Sequence, residues 1–224
     1  MAKVQSKKDI DILEQRGLWE ASSFLHRRIK KLIGKKQSLR IGDLKTAHKI
    51  MFDVAGQADI AGKYRRHNGP ELRRIDGTPL PITDWRQIPA VMSELDFVLR
   101  EETRNLKLPK NERDYRKVIF LAVRLSHRLA CIHPFVNGNG RASRLLLNAI
   151  LIRAGLPEIS IKKSKPAYLK AMRQTDDGNF DLLENIVTDG LLEAKKKHIE
   201  IIARKKSELL KSRKKKKKRR LHRR

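Results

Sequence analysis

The residues best suited to chemistry fall in one stretch, His133-Pro134-Phe135-Val136-Asn137-Gly138-Asn139-Gly140-Arg141-Ala142-Ser143-Arg144. Pro134 disfavours helical geometry in the residue before it, so a helix arriving from the N-terminal side must end here. Gly138 and Gly140 permit positive φ and close backbone approach, the arrangement that builds an anion-binding nest at a helix start. Arg141 and Arg144 lie three apart in the first turns of the next helix. There the helix dipole disfavours cations by roughly a few tenths of a kcal/mol each. A bound polyphosphate resolves that conflict, because it accepts backbone N–H bonds and paired guanidinium contacts together. His133, just ahead of the nest, could take a proton from a hydroxyl attacking the bound phosphorus.

Apolar periodicity supplies the elements that would position these groups. It predicts helices over 9–33, 41–54, 85–102, 114–132, 141–154, 166–173 and 180–206. The two most apolar of these, 114–132 and 141–154, flank the chemical stretch and belong at the centre of the core. Between residues 56 and 83 the glycines and prolines multiply. Extended pieces at 72–75 and 80–82 flank Asp76-Gly77-Thr78 and read as a small β-hairpin. His127 and Cys131 read as core residues of the central helix, and no partner for His48 can be named.

The chain has 224 residues, of which 39% are apolar and 35% charged, with a net charge of +28. Such an imbalance points to anionic partners. Residues 211–224 hold eleven Lys or Arg and no acid, leaving +17 on the remainder. This tail lacks aromatic residues for stacking on bases. It fits a solvated, disordered end, a contact to nucleic acid without sequence preference, an anionic membrane surface, or a nuclear-targeting signal in a host cell. A single cysteine excludes an intrachain disulfide and a cysteine-rich structural zinc site. No segment reads as a membrane span or a cleaved signal peptide, so the expected location is cytoplasmic, with secretion lacking a cleaved signal left open.

The pattern His133-x-Phe135-x-x-Gly138-Asn139-Gly140-Arg141-x-x-Arg144 resembles the signature of the Fic (filamentation induced by cAMP) family. Gly62-Lys63-Tyr64-Arg65 ahead of the hairpin, Ser126-His127-Arg128-Leu129-Ala130-Cys131-Ile132 leading into the histidine, and Tyr168-Leu169 extend the resemblance. It implies a mostly α, Fic-type helical bundle with one short β-hairpin flap. The domain would span 39–192, with an N-terminal helical extension at 1–38, a C-terminal helical extension at 193–210 and a polybasic tail at 211–224. It further implies a protein adenylyltransferase that moves AMP from ATP to a hydroxyl side chain, with Mg²⁺ or Mn²⁺. His133 would be the base, Phe135 the anchor of the loop, and Gly138, Asn139 and Gly140 the anion hole. Arg141 and Arg144 would hold the β- and γ-phosphates. A target Ser, Thr or Tyr would dock along the flap. The alternatives are a phosphotransferase like the Doc toxins, or a catalytically weak Fic domain that binds nucleotide or nucleic acid.

Two departures from the family pattern stand out. Asn137 occupies the position that is usually an acidic Mg²⁺ ligand, and an amide oxygen is a weaker ligand for a hard cation. The family's inhibitory motif is not found: Glu184-Asn185 has Phe180, not Ser or Thr, four positions before the glutamate. Inhibition is therefore expected from a separate antitoxin-like chain, or not at all.

Overall fold

The computed structural model describes residues 7–68, 77–79 and 81–221, the last helical stretch beyond 203 by its backbone alone. Seven helices follow in order among the described residues: α1 (Lys7–Gly34), α2 (Ile41–Val54), α3 (Ile88–Arg104), α4 (Glu112–Ile132), α5 (Asn139–Arg153), α6 (Lys165–Asp176) and α7 (Asp181–Leu221). Local signals set several of the boundaries. Asn111 caps α4 by accepting the Asp114 N–H at 2.9 Å, and Ser164 does the same for α6 through Ala167. At the end of α3, the buried Arg153 guanidinium donates to the carbonyls of Arg104 and Leu106, at 2.9 and 3.0 Å. That satisfies acceptors the helix itself leaves open.

Helices α4 and α5 pack against each other at the centre, with α3 and α7 against α4, and α1 and α2 against α5. Apolar side chains from all of these layers form one core, including Leu25 and Ile29 of α1, Phe52 of α2, Leu95 of α3, Val123 of α4, Ile150 of α5 and Val187 of α7. Burial of these side chains is the main stabilising term, at roughly 1.5–3 kcal/mol for each fully buried one. Helix α1, in the N-terminal helical extension expected at 1–38, packs against α2 and α5 and shares their core. It lies so close to α2 that a Cβ at Gly17 would fall 2.3 Å from the Met51 carbonyl oxygen.

The hairpin expected at 72–82 falls largely on residues outside the described ones. No strand forms among the described residues; an isolated antiparallel bridge joins Tyr64 to Phe135. At the other end of the chain, α7 continues as helix through the basic segment to Leu221, where a disordered tail is expected. Lysine and arginine are good helix formers, and no glycine or proline interrupts 211–221. No described helix is long and apolar enough to cross a membrane.

Candidate active site

Helix α4 ends at His133, which adopts left-handed backbone geometry with φ 51° and ψ 55°. A non-glycine residue there is strained, and the surrounding structure must hold it. Arg65 does so. Its Nε donates to the His133 carbonyl at 2.7 Å, and its main-chain N–H donates to the Pro134 carbonyl at 2.9 Å. Its other guanidinium nitrogens reach the carbonyls of His67 and Thr83. Burial pushes the His133 imidazole below its usual pKa; a ring hydrogen bond to the Ala130 carbonyl opposes this, and the nearby Arg65 charge adds to it. At neutral pH the ring is thus uncharged, with one nitrogen donating to Ala130 and the other able to accept a proton.

The inner face of the loop is dry and close-packed. Phe135 is fully buried and stacks on His48 with ring centroids 3.8 Å apart. His48 stacks in turn on Phe52 at 4.6 Å. The Gly62 N–H donates to His48 Nδ1 at 3.0 Å, which leaves Nε2 to carry the proton and donate to the Asn137 carbonyl, also at 3.0 Å. Burial lowers the His48 pKa to about 4, with the Arg141 charge acting in the same direction and the bond to Asn137 against it. Gly138, at φ 78°, abuts the same wall: a Cβ there would lie 2.6 Å from Phe52 Cε2. Asn139 closes the loop from within. Its amide donates to the Phe135 carbonyl at 2.8 Å and accepts the Phe135 N–H at 2.9 Å.

The outer face opens on a cleft of about 1090 Å³ between the end of α4, the start of α5 and α6. His133, Gly140, Arg144 and Tyr168 line it. The first-turn N–H groups of α5 have no acceptor within the helix and carry the positive end of its dipole. Tyr168 is hydrogen-bonded to Arg144 and Ser143, and burial holds its phenol above the usual range while the Arg144 charge opposes the shift. An anion entering here meets backbone donors, Arg144 and the imidazole of His133 together.

Not every residue singled out from sequence serves as expected. Gly140 lies in the first turn of α5 without positive φ; only Gly138 of the pair uses the left-handed region. The Asn139 side chain is committed to Phe135, so this residue offers an anion only its main-chain N–H. Asn137 is exposed, and its amide oxygen accepts the Gly138 N–H at 2.6 Å. Arg141 turns away from the cleft and pairs with Glu14 of α1 at 2.9 Å, with its guanidinium over the Phe52 ring at 5.0 Å. Sequence reading missed His48, Arg65 and Glu14 as parts of this site. Their only signal lies in folded proximity, apart from Arg65, which sits in the Gly62-to-Arg65 segment.

A sequence model of the Fic/DOC family matches residues 38–151. The chain belongs to the Fic/DOC family. A relative named protein adenylyltransferase Fic, from Nematostella vectensis, is 31% identical over 179 residues, covering 79% of this chain and 37% of that protein. The chain thus spans little more than a third of that curated relative. Among solved structures, Fic-1 (residues 134–508) of C. elegans superposes on this Fic domain with a TM-score of 0.66 at 18% identity, covering 92% of this chain and 55% of the other. The Bartonella tribocorum effector BepC, solved with bound AMPPNP, gives a TM-score of 0.53 at 19% identity, covering 85% and 92%. At these identities the structural likeness establishes the Fic fold.

Proposed function

We propose that this Fic domain transfers AMP from ATP to a hydroxyl side chain of a target protein. The observation that carries the reading is the cleft itself, where a neutral imidazole, a helix N-terminus and Arg144 converge. ATP as the donor is supported by the adenylyltransferase name of the Nematostella relative and by the AMPPNP bound to BepC. His133 accepts the proton of the target hydroxyl, whose oxygen attacks the α-phosphorus. The bond to the β-phosphate breaks, and pyrophosphate leaves with the negative charge that the α5 N-terminus and Arg144 stabilise. The product is a phosphodiester between AMP and the target side chain.

The hairpin expected at 72–82 is the proposed flap, against which the target segment lies in strand-like pairing. Support comes from its closed base. Arg65 binds Thr83, the Trp85 N–H donates to Asn68 Oδ1 at 2.9 Å, and Asn68 Nδ2 donates to Asp84 at 3.1 Å. The donor set near the phosphates does not fit a tightly held divalent ion. Asn137 is neutral, its amide oxygen is already engaged by Gly138, and no carboxylate takes its place in the loop. Mg²⁺ therefore belongs to the substrate, carried on the ATP phosphates. Glu14 pairs with Arg141, so this cation serves the γ-phosphate only when the pair opens. Such restraint lies within the chain, and a separate antitoxin-like inhibitor is proposed beside it.

The test is incubation with α-labelled and γ-labelled ATP, Mg²⁺ and a cell lysate. Label should move to protein from the α position and be lost in His133→Ala. Transfer from the γ position, or none from either, would overturn the reading.

A further inference from the structure

Beyond the nucleotide cleft, three side chains converge where α4 meets the end of α6. His127 and Cys131 sit one turn apart on the same face of α4, and Asp176 is the last residue of α6. His127 Nε2 lies 2.8 Å from Asp176 Oδ1. Cys131 Sγ lies 3.6 Å from each of those two atoms. One imidazole nitrogen, one thiol sulfur and one carboxylate oxygen therefore lie within 3.6 Å of one another.

These separations can be compared with a metal's demands. Tetrahedral coordination with a metal–sulfur bond of ~2.3 Å and metal–nitrogen or metal–oxygen bonds of ~2.0 Å sets sulfur-to-nitrogen and sulfur-to-oxygen edges of ~3.5 Å and a nitrogen-to-oxygen edge of ~3.3 Å. The two sulfur edges already have that length; because Sγ flanks both ring nitrogens, coordination also needs the thiol to swing towards the Nε2 lone pair. The third is shorter by about half an ångström because a proton bridges Nε2 and Oδ1, and a metal would replace that proton. A catalytic-style Cys-His-Asp relay fits less well. It needs the thiol on the lone pair of the nitrogen opposite the carboxylate, whereas Sγ flanks the ring, 3.8 Å from Nδ1 and 3.6 Å from Nε2.

We propose that His127, Cys131 and Asp176 bind one zinc-class ion. Three protein ligands leave a fourth coordination position, and it opens on the cleft, because Cys131 and Asp176 both line it. Thiolate and imidazole select a borderline-soft ion such as Zn²⁺ over Mg²⁺ or Ca²⁺. The cleft's basic lining, Lys163, Lys170 and Arg173 among it, sharpens that choice by repelling cations held through charge alone. Binding displaces the thiol proton, links α6 to α4, and ties the wall that carries Tyr168 to the helix that ends at His133.

Titration of the full chain with Co²⁺ tests this without any assay of transfer. A thiolate-to-Co²⁺ charge-transfer band should grow to one ion per chain and vanish on adding Zn²⁺. Cys131→Ser should remove the band. His127→Gln and Asp176→Asn should weaken binding by roughly tenfold or more, since losing an outer-shell partner already costs that much. Far-UV circular dichroism confirms that each variant folds. The absence of a band in the parent chain, its persistence in Cys131→Ser, or unchanged affinity in both other folded variants would overturn the site.

Discussion

The two faces of the 133–138 loop are built on opposite terms. The inner face consists of Phe135, His48, Phe52 and Gly138, buried and in ring-to-ring contact. The outer face consists of His133, Gly140 and Arg144, open to a cleft. On the inner face every polar atom described has its partner inside the protein. On the outer face, the Arg144 guanidinium that bonds Tyr168, the His133 ring that bonds Ala130 and the first-turn N–H groups of α5 border open space. Under the proposed function the contrast is a division of labour: rigidity is generated on the side away from the cleft and used on the side that would face substrate.

That division predicts separable variants. His133→Ala should reduce transfer by roughly 10²–10⁴-fold, the scale of a lost general base, while the urea unfolding midpoint stays at the parent value. A large fall in that midpoint would break the comparison. Gly138→Ala should act the other way round. Forcing a Cβ against Phe52 at positive φ should cost about 2–4 kcal/mol of stability, read from chemical denaturation. Transfer should fall only because the loop moves. A fully stable Gly138→Ala protein would mean that the inner wall is softer than its contacts imply.

Next in size is the pair of arginines. Arg144→Ala should weaken ATP binding about tenfold, from loss of a charge-assisted contact of ~1.5 kcal/mol, as measured by calorimetry. Arg141→Ala should weaken it less, because Glu14 already competes for that guanidinium. Glu14→Ala should instead raise ATP affinity and transfer a few-fold. Stability should change by less than about 1 kcal/mol, since the pair is partly exposed. Equal losses from the two arginine variants would remove the distinction between them.

The smallest effect is on pH dependence. His48 is neutral in the fold, with its pKa lowered from 6.5 to about 4, so folding disfavours its protonation. Its contribution to stability is fully present above pH 6.5 and is lost as pH falls towards 4. His133, shifted in the same direction, adds to this limb. His48→Gln should flatten the fall in unfolding midpoint over that range, and an unchanged slope would assign the limb to other groups.

Sequence made the outer face legible because its groups are neighbours in the chain. The residues from His133 to Arg144 are consecutive, and the helix break at Pro134 and the glycine at 138 each follow from one residue's backbone preference. The helices were legible for the same local reason, and α2 spans 41–54 as its apolar spacing predicts. The inner face was not. His48 meets the loop across 89 positions and Arg65 across 68, and no periodicity marks either as a loop-holder. Glu14 looked like any acid on an amphipathic helix. Its role depends on Gly17 letting α1 approach α2, a packing fact with no local signature. Cys131 read as core because its helix is apolar, yet it stands at the cleft wall, half-buried.

The length of α7 sets a distance. The last of its described side chains seated against the core is Ala194, and the basic run opens with Lys211. Seventeen residues of helix at 1.5 Å each put about 25 Å of α7 axis between Ala194 and the backbone of Lys211. Ions at physiological strength damp a field within about 8 Å. Net charge, which looks like one property of the chain, is set out in two places: on the packed body, and on a helical segment whose backbone begins roughly three screening lengths along the axis from the last described core contact.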